Sequence, residues 1–290
     1  MVVLTTTDGS PRSLKALPHA ARLAEVTGAR LLVLRILDPR ADCAESRAAT
    51  LADATREVAG SWTLELQTLV QDLRIPAEVV IDVKPRGEEV IDAISRVAAE
   101  HRARIIVMAT RGAGLLRRTL LGSVATLVLQ RAELPVMLTG DHVGSPRDGL
   151  PYHALVTSDG SKASESVLLS LRQVFEQTPA DNARITLLRV YQEALGDPPR
   201  EIAIRQCERE LEAFKRHAPP RFPVDQIVRE VVPLGGVDTA IINSARASGA
   251  DSIWMATRGH SLRRHLLVGS VALGAISHAD VPVVLGRALG

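Results

Sequence analysis

The chain repeats itself, and this constrains its fold more than any other feature of the sequence. Laying Met108–Thr139 over Met255–Gly286, an offset of 147 with no gap, gives 16 identities in 32 positions. Chance would give roughly one in sixteen. The shared frame reads Met-Ala-Thr-Arg-Gly, nine residues, Gly-Ser-Val-Ala, a short helical stretch and Pro-Val. Upstream, Leu4–Ser10 matches Leu155–Ser161 at an offset of 151, and Ala29–Arg35 matches Ala183–Arg189 at 154. Offsets that drift by a few residues are what loop insertions leave in diverged duplicates. A chain of 290 residues is long enough for two such copies, each able to close a core. We place the domains at 1–141 and 152–290. The linker is 142–151, because the stretch from Gly140 to Pro151 is turn chemistry without an apolar period.

Each copy alternates short apolar runs with helical spacing. Val2–Thr6, Arg30–Leu37, Ala77–Val83, Arg104–Ala109 and Val136–Leu138 read as strands, rich in Val, Ile and Leu. Runs with no polar alternation fit strands buried on both faces of a parallel sheet. Between them, Ser13–Thr27 and Val90–Ala99 carry apolar residues at helical spacing. The second copy repeats the strands at Ala154–Thr157, Arg184–Tyr191, Gln226–Val232, Ser252–Ala256 and Val283–Leu285. Strict alternation predicts an α/β fold of two tandem five-stranded parallel sheets flanked by helices. The last strand of each copy would be a sheet edge, and exposed edges are usually paired. Pro135–Leu138 and Pro282–Leu285 are therefore expected to pair, either within the chain as a pseudo-twofold or between chains in a homodimer.

Composition narrows the function classes. Aromatics are 2% of the chain, so the cores are expected to be aliphatic, and a base-stacking platform for single strands is excluded. Net charge is +2 with no long run of like charge, which points away from nucleic acid. Cys43 and Cys207 share no metal-like or disulfide spacing, and the eight histidines are scattered. No apolar stretch approaches the roughly 18 residues of a membrane helix, so the expected location is cytoplasmic, without membrane partners.

In an open parallel sheet, ligands bind beyond the carboxyl ends of the strands. Two loops there are repeated: Asp8-Gly9-Ser10 with Asp159-Gly160-Ser161, and Gly112 to Ser123 with Gly259 to Ser270. Gly122-Ser123 precedes a helix over Val124–Arg131, so its N–H groups and dipole favour an anion, and Ser123 is placed to cap. The alternative is that these glycines only shape a loop. Asp8 and Asp159 read equally as Asx-turn or cap residues and as carboxylates that accept from a nucleoside. Arg117, Arg118, Arg263, Arg264 and His265 lie within the Gly loops as phosphate screens or a solvated face. Neither a P-loop nor a Gly-x-Ser-x-Gly elbow is present, and Gly112-Ala113-Gly114 lacks the third glycine of a dinucleotide loop.

Together these motifs resemble the universal stress protein family over essentially the whole chain, as two tandem domains with an adenine-nucleotide alpha hydrolase-like fold. The Gly-x9-Gly-Ser element carries most of the likeness. The resemblance implies an ATP site in each half, with Mg²⁺ on the phosphates. Asp8 and Asp159 would sit near adenosine, Ile36 and Val190 against adenine, and Ala109 and Ala256 against ribose. Gly112, Gly122 and Ser123, with Gly259, Gly269 and Ser270, would hold the phosphates. Ala109 and Ala256 stand where the family motif often begins with glycine, Thr6 and Thr157 where it commonly has proline, and Arg35 and Arg189 where it commonly has histidine. Arg104 departs from an acidic position that Asp251 keeps. The implied function is a cytoplasmic stress-response protein that binds adenine nucleotide in a regulatory role. The alternatives are a nucleotide-free interaction protein of the same fold, or a weak ATPase. No general base is evident near the phosphate loops, so no catalytic residue is assigned.

Overall fold

The structure, a computed structural model, describes residues 1–112, 121–149, 151–191, 199–230, 235–257 and 268–286. The chain divides into two compact units, Met1–Ala132 and Glu133–Gly290.

The first unit runs β1 (Val2–Thr6), a 3₁₀ turn at Ser13–Lys15, α1 (Ala16–Thr27), β2 (Arg30–Leu37), α2 (Pro39–Asp42), α3 (Leu51–Gln71), β3 (Ala77–Val83), α4 (Val90–Glu100), β4 (Ala103–Ala109) and α5 (Ser123–Arg131). Its strands are parallel in the order β3-β2-β1-β4. All five β1 residues are buried, which is why the run shows no polar alternation. The opening of the expected Ser13–Thr27 helix is the tighter 3₁₀ turn, because the Ser13 hydroxyl donates to the Ser10 carbonyl and is tied into the preceding loop. α1 ends at Gly28, whose φ of +64° suits a residue without Cβ and whose N–H caps the Ala24 and Glu25 carbonyls. α3 is 21 residues long and buries only Ala54 and Leu66, so most of its surface stays accessible.

The second unit holds β5 (Val136–Thr139), β6 (Tyr152–Ser158), α6 (Lys162–Val174), β7 (Ala183–Tyr191), α7 (Arg200–Lys215), β8 (Val224–Glu230), α8 (Val237–Ser248), β9 (Ser252–Ala256), α9 (Ser270–His278) and β10 (Val283–Gly286). Its order is β5-β10-β9-β6-β7-β8. β6 to β10 are parallel to one another, while β5 runs antiparallel to β10 with Val136 opposite Leu285 and Leu138 opposite Val283. The expected pairing of the two Pro-Val strands thus forms within one chain, and it places the last strand of the first repeat in the second compact unit. Pairing β5 with β10 satisfies ladder groups that two bare edges would expose.

The expectation of aliphatic cores holds in the first unit. The second gathers six of the seven aromatic residues. Phe175 packs at a tilt against Tyr152 and Trp254, with centroids 5.5 and 5.9 Å away, and Phe222 meets it edge-on at 6.1 Å. Tyr152 Oη and Trp254 Nε1 both donate to Ser252 Oγ, so the buried polar tips are satisfied.

His153 is buried in β6 between Thr186 Oγ1, 2.8 Å from Nε2, and the Gly249 carbonyl, 3.3 Å from Nδ1. Burial lowers its pKa from the ordinary value, and nearby Arg184 adds to the effect. The unfolded chain therefore binds the proton more readily, and stability is lost as pH falls through the ordinary histidine range. We expect the stability of the wild type, read by chemical denaturation, to fall from pH 7 to pH 5, by up to about 1.4 kcal/mol per pH unit for one proton. His153→Asn should flatten that slope.

Candidate functional site

At the carboxyl end of the first sheet the chain encloses a cavity of about 500 Å³. Its walls come from four directions. Thr6, Thr7, Asp8 and Ser13 line it from the loop after β1, and Leu34, Ile36 and Asp38 from the end of β2. Val90 and Ile94 come from α4; Ala109, Gly112, Gly122 and Ser123 come from the segment between β4 and α5. All six site residues expected in this half (Asp8, Ile36, Ala109, Gly112, Gly122 and Ser123) face the one cavity.

The β1 loop is shaped by local polar chemistry. Asp8 Oδ1 accepts from the Ser10 N–H at 2.9 Å, an Asx turn, and Thr7 Oγ1 accepts from the Gly9 N–H at 3.0 Å. Gly9 has φ +83°, and a Cβ there would come within 2.5 Å of the Arg35 guanidinium. Ser13 is the hub: buried, it shares a 2.7 Å hydrogen bond with Thr7 Oγ1 and accepts from the Asp8 N–H at 3.3 Å. The Asx-turn reading of Asp8 therefore holds, while its reading as a helix cap does not. The residue at the head of α1 is Lys15, seven positions further on.

The β1 and β4 loops touch. A Cβ on Gly112 would lie 2.0 Å from Asp8 Oδ2, so the carboxylate rests against bare backbone. The Gly122 N–H donates to the Thr110 carbonyl at 2.8 Å, which turns the chain into α5. Here one expectation is corrected: Ser123 does not cap α5. Gly122 occupies the N-cap position with extended φ and ψ, Ser123 is already helical, and no side-chain capping hydrogen bond forms among the described residues. Those donors stand at the cavity wall, as Ser123, Val124 and Ala125 all line it. The same correction applies to Ser270, with Gly269 as N-cap of α9.

The second unit repeats the arrangement. A cavity of about 250 Å³ is lined by Asp159, Ser164, Arg189, Val190, Ile241, Ala256, Gly269 and Ser270, among others. The expected residues Asp159, Val190, Ala256, Gly269 and Ser270 are all in its wall, whereas Gly259 lies outside the described residues. So do Arg117, Arg118, Arg263, Arg264 and His265. The two carboxylates are held differently. Asp159 Oδ1 accepts from the Ser161 N–H and from the Ser161 and Ser164 hydroxyls, whereas Ser13, the counterpart of Ser164, bonds Thr7 and Ser10.

Some lining residues were missed in the sequence reading. Ser13 and Ser164 recur at the same distance from their aspartates, as do Val90 with Ile94 and Val237 with Ile241 at their helix starts. Comparing the copies position by position would have found them. Asp38 has no such signal. Its carboxylate pairs with Lys84 Nζ at 2.9 Å, a hydrogen bond that lowers its pKa from the ordinary value. Among the described residues no group of three His, Cys, Asp or Glu could hold a metal, and no helix is long and apolar enough to cross a membrane.

With this geometry in place, the comparisons with known proteins agree. The model of the universal stress protein family matches residues 1–140 and again 152–287, and the chain belongs to that family in its tandem two-domain form. A universal stress protein of Mycolicibacterium smegmatis is 26% identical, over 98% of this chain and 96% of its own length. One from Mycobacterium tuberculosis strain H37Rv is 28% identical over 66% of this chain, and the match spans just 64% of that relative. The crystal structure of a universal stress protein from Archaeoglobus fulgidus superposes with a TM-score of 0.66 at 21% identity, covering 99% of this chain and 98% of that one. That likeness is one of fold.

The glycines differ in what they tolerate. Gly9→Ala forces an alanine to φ +83° against Arg35 and should cost about 1–2 kcal/mol. Gly122→Ala meets nothing nearer than 3.5 Å at φ −69° and should stay within about 0.5 kcal/mol. Urea denaturation of both variants checks the contrast.

Proposed function

We propose that the chain binds adenine nucleotide, ATP with Mg²⁺, in one or both cavities, and that this binding regulates rather than catalyses. The observation that carries the reading is the convergence of Asp8, Ile36 and the N-terminus of α5 on one cavity at the sheet's carboxyl edge. A volume of about 500 Å³ falls in the range of small-molecule sites.

The residues fit the parts of a nucleotide. Leu34, Ile36, Val90 and Ile94 make an apolar slot for a base. Asp8, held at the cavity wall by its Asx turn, would accept from ribose hydroxyls. The N–H groups opening α5 would meet phosphate with the positive end of the helix dipole, and the Gly122 N-cap adds no side chain over them. The divalent cation would be carried by the phosphates, since no three-residue metal cluster is described. Asp8 stands at the nucleoside end, away from a terminal phosphate, so hydrolysis would be slow. The role follows as a shift in population: ligand bridges the β1 and β4 loops and favours one packing of them. The cytoplasm is the proposed location.

The test uses protein purified without added nucleotide. Denaturation should release nucleotide, up to two per chain for the two cavities, and calorimetry of stripped protein should show ATP–Mg²⁺ binding. Gly122→Val with Gly269→Val should keep the fold, because neither Cβ meets an atom nearer than 3.5 Å, yet weaken binding at least about tenfold. A folded double variant with unchanged affinity would refute the phosphate assignment. No nucleotide and no heat from folded wild type would favour an interaction protein of the same fold.

A further inference from the structure

Behind each Asp-Gly-Ser turn stands an arginine that belongs to neither the apolar slot nor the phosphate loop. In the first unit, Arg35 leaves the end of β2 and lays its guanidinium over Gly9, at a place where a Cβ would be 2.5–2.8 Å from its three terminal atoms. The other side of the group faces α3: its carbon is 3.4 Å from the centroid of the Trp62 ring, and Nη1 pairs with Glu65 at 3.2 Å. Asp8 and Asp42 act on the same charge from the cavity side. One cation thus lies between the turn that presents Asp8 and a helix that has most of its surface in solvent.

The second unit builds the same clasp from different parts. Arg189, at the equivalent position on β7, donates from Nη1 to the Ser158 carbonyl at 3.2 Å and pairs through Nη2 with Glu210 of α7 at 3.3 Å. A Cβ on Gly160 would lie 3.4 Å from Nη2 and 3.1 Å from Glu210 Oε2. In both copies the arginine Nε is buried without an acceptor among the described residues, an arrangement that carries a desolvation cost. Helix packing alone would not require a guanidinium in that place twice.

We propose that Arg35 and Arg189 are positioning residues that couple occupancy of each cavity to the helix behind it, α3 or α7. The inference rests on the nucleotide reading above and adds its route of output. A ligand that engages the aspartate changes how strongly the turn holds the guanidinium. The guanidinium then shifts its balance toward or away from the helix glutamate, and the helix follows. Arginine suits this because its planar fork stacks on a ring and pairs with a carboxylate at once.

Trp62 is a built-in reporter in contact with the clasp, whereas the other tryptophan, Trp254, is fully buried in the second core. The experiment titrates ATP–Mg²⁺ into Gly269→Val protein, so that calorimetric heat reports the first cavity, and follows tryptophan emission and acrylamide quenching in parallel. Emission should change with the same half-saturation as the heat and should not change in Trp62→Phe. Glu65→Gln should bind within about twofold of its parent, with a reduced emission change. Arg35→Met should weaken binding roughly three- to tenfold and abolish the change, while Arg35→Lys restores affinity more than signal. Heat without any change at Trp62, or an unaltered response in Arg35→Met, would overturn the coupling while leaving the nucleotide reading intact. Absence of heat with Trp62 unmoved would overturn both.

Discussion

The rest of the molecule depends on burying parallel strands on both faces. Val2, Val3, Leu4 and Thr5 of β1 are all nearly inaccessible, as are Leu155 and Val156 of β6. A strand so buried needs helices on either side, and a parallel neighbour needs a crossover helix to return the chain. Parallel strands then all end at one edge. β1 pairs with β2 on one side and β4 on the other, so the loops leaving β1 and β4 emerge beside each other although about a hundred residues separate them. The cavity lies at that divergence.

What fills the divergence is a small amount of polar chemistry held against bare backbone. Asp8 can approach the β4 loop because Gly112 has no side chain to keep it away, and the turn that presents Asp8 needs Gly9 at positive φ. The buried Ser13 hydroxyl absorbs the polar groups that the turn leaves over, which keeps the loop from carrying unpaired donors into the interior. In the second copy the Ser161 and Ser164 hydroxyls donate to the carboxylate itself, so the same sequence pattern holds Asp159 by different contacts.

Divergence has gone further in the cores than at the cavity edges. The first core is aliphatic, whereas the second has Trp254 where β4 has Val107, with Phe175 against it and Tyr152 and Phe222 packed on Phe175. Cores accept such exchanges when volume and pattern are kept. The Asp-Gly-Ser turns and the Gly-Ser helix starts cannot vary in that way, because their backbone conformations and open N–H groups depend on small residues at fixed places.

The repeat, the alternation of apolar runs with helical spacing, and the Gly-Ser helix starts were legible in the sequence because they depend on local periodicity and backbone freedom. Strand bounds over Val2–Thr6, Arg30–Leu37 and Ala77–Val83 follow directly from the runs of Val, Ile and Leu. Of the cavity-lining residues, Asp8, Gly112 and Gly122 were legible for the same reason, as glycines and aspartates that recur in both copies, whereas Ile36 and Ala109 came only from the family resemblance. Other features were not. That Gly122 rather than Ser123 caps α5, that Ser13 is a buried hub, and that Arg35 stacks on Trp62 are set by which atoms meet across distant segments. The pairing of β5 with β10 was foreseeable from unpaired edges, but its closure within one chain, antiparallel, with Val136 opposite Leu285, was decided only in three dimensions. Sequence determines which segments bury apolar surface and where the backbone can turn. Tertiary structure decides which polar groups end up facing each other, because each hydrogen bond and ion pair depends on ångström-scale distances that no one-dimensional pattern encodes.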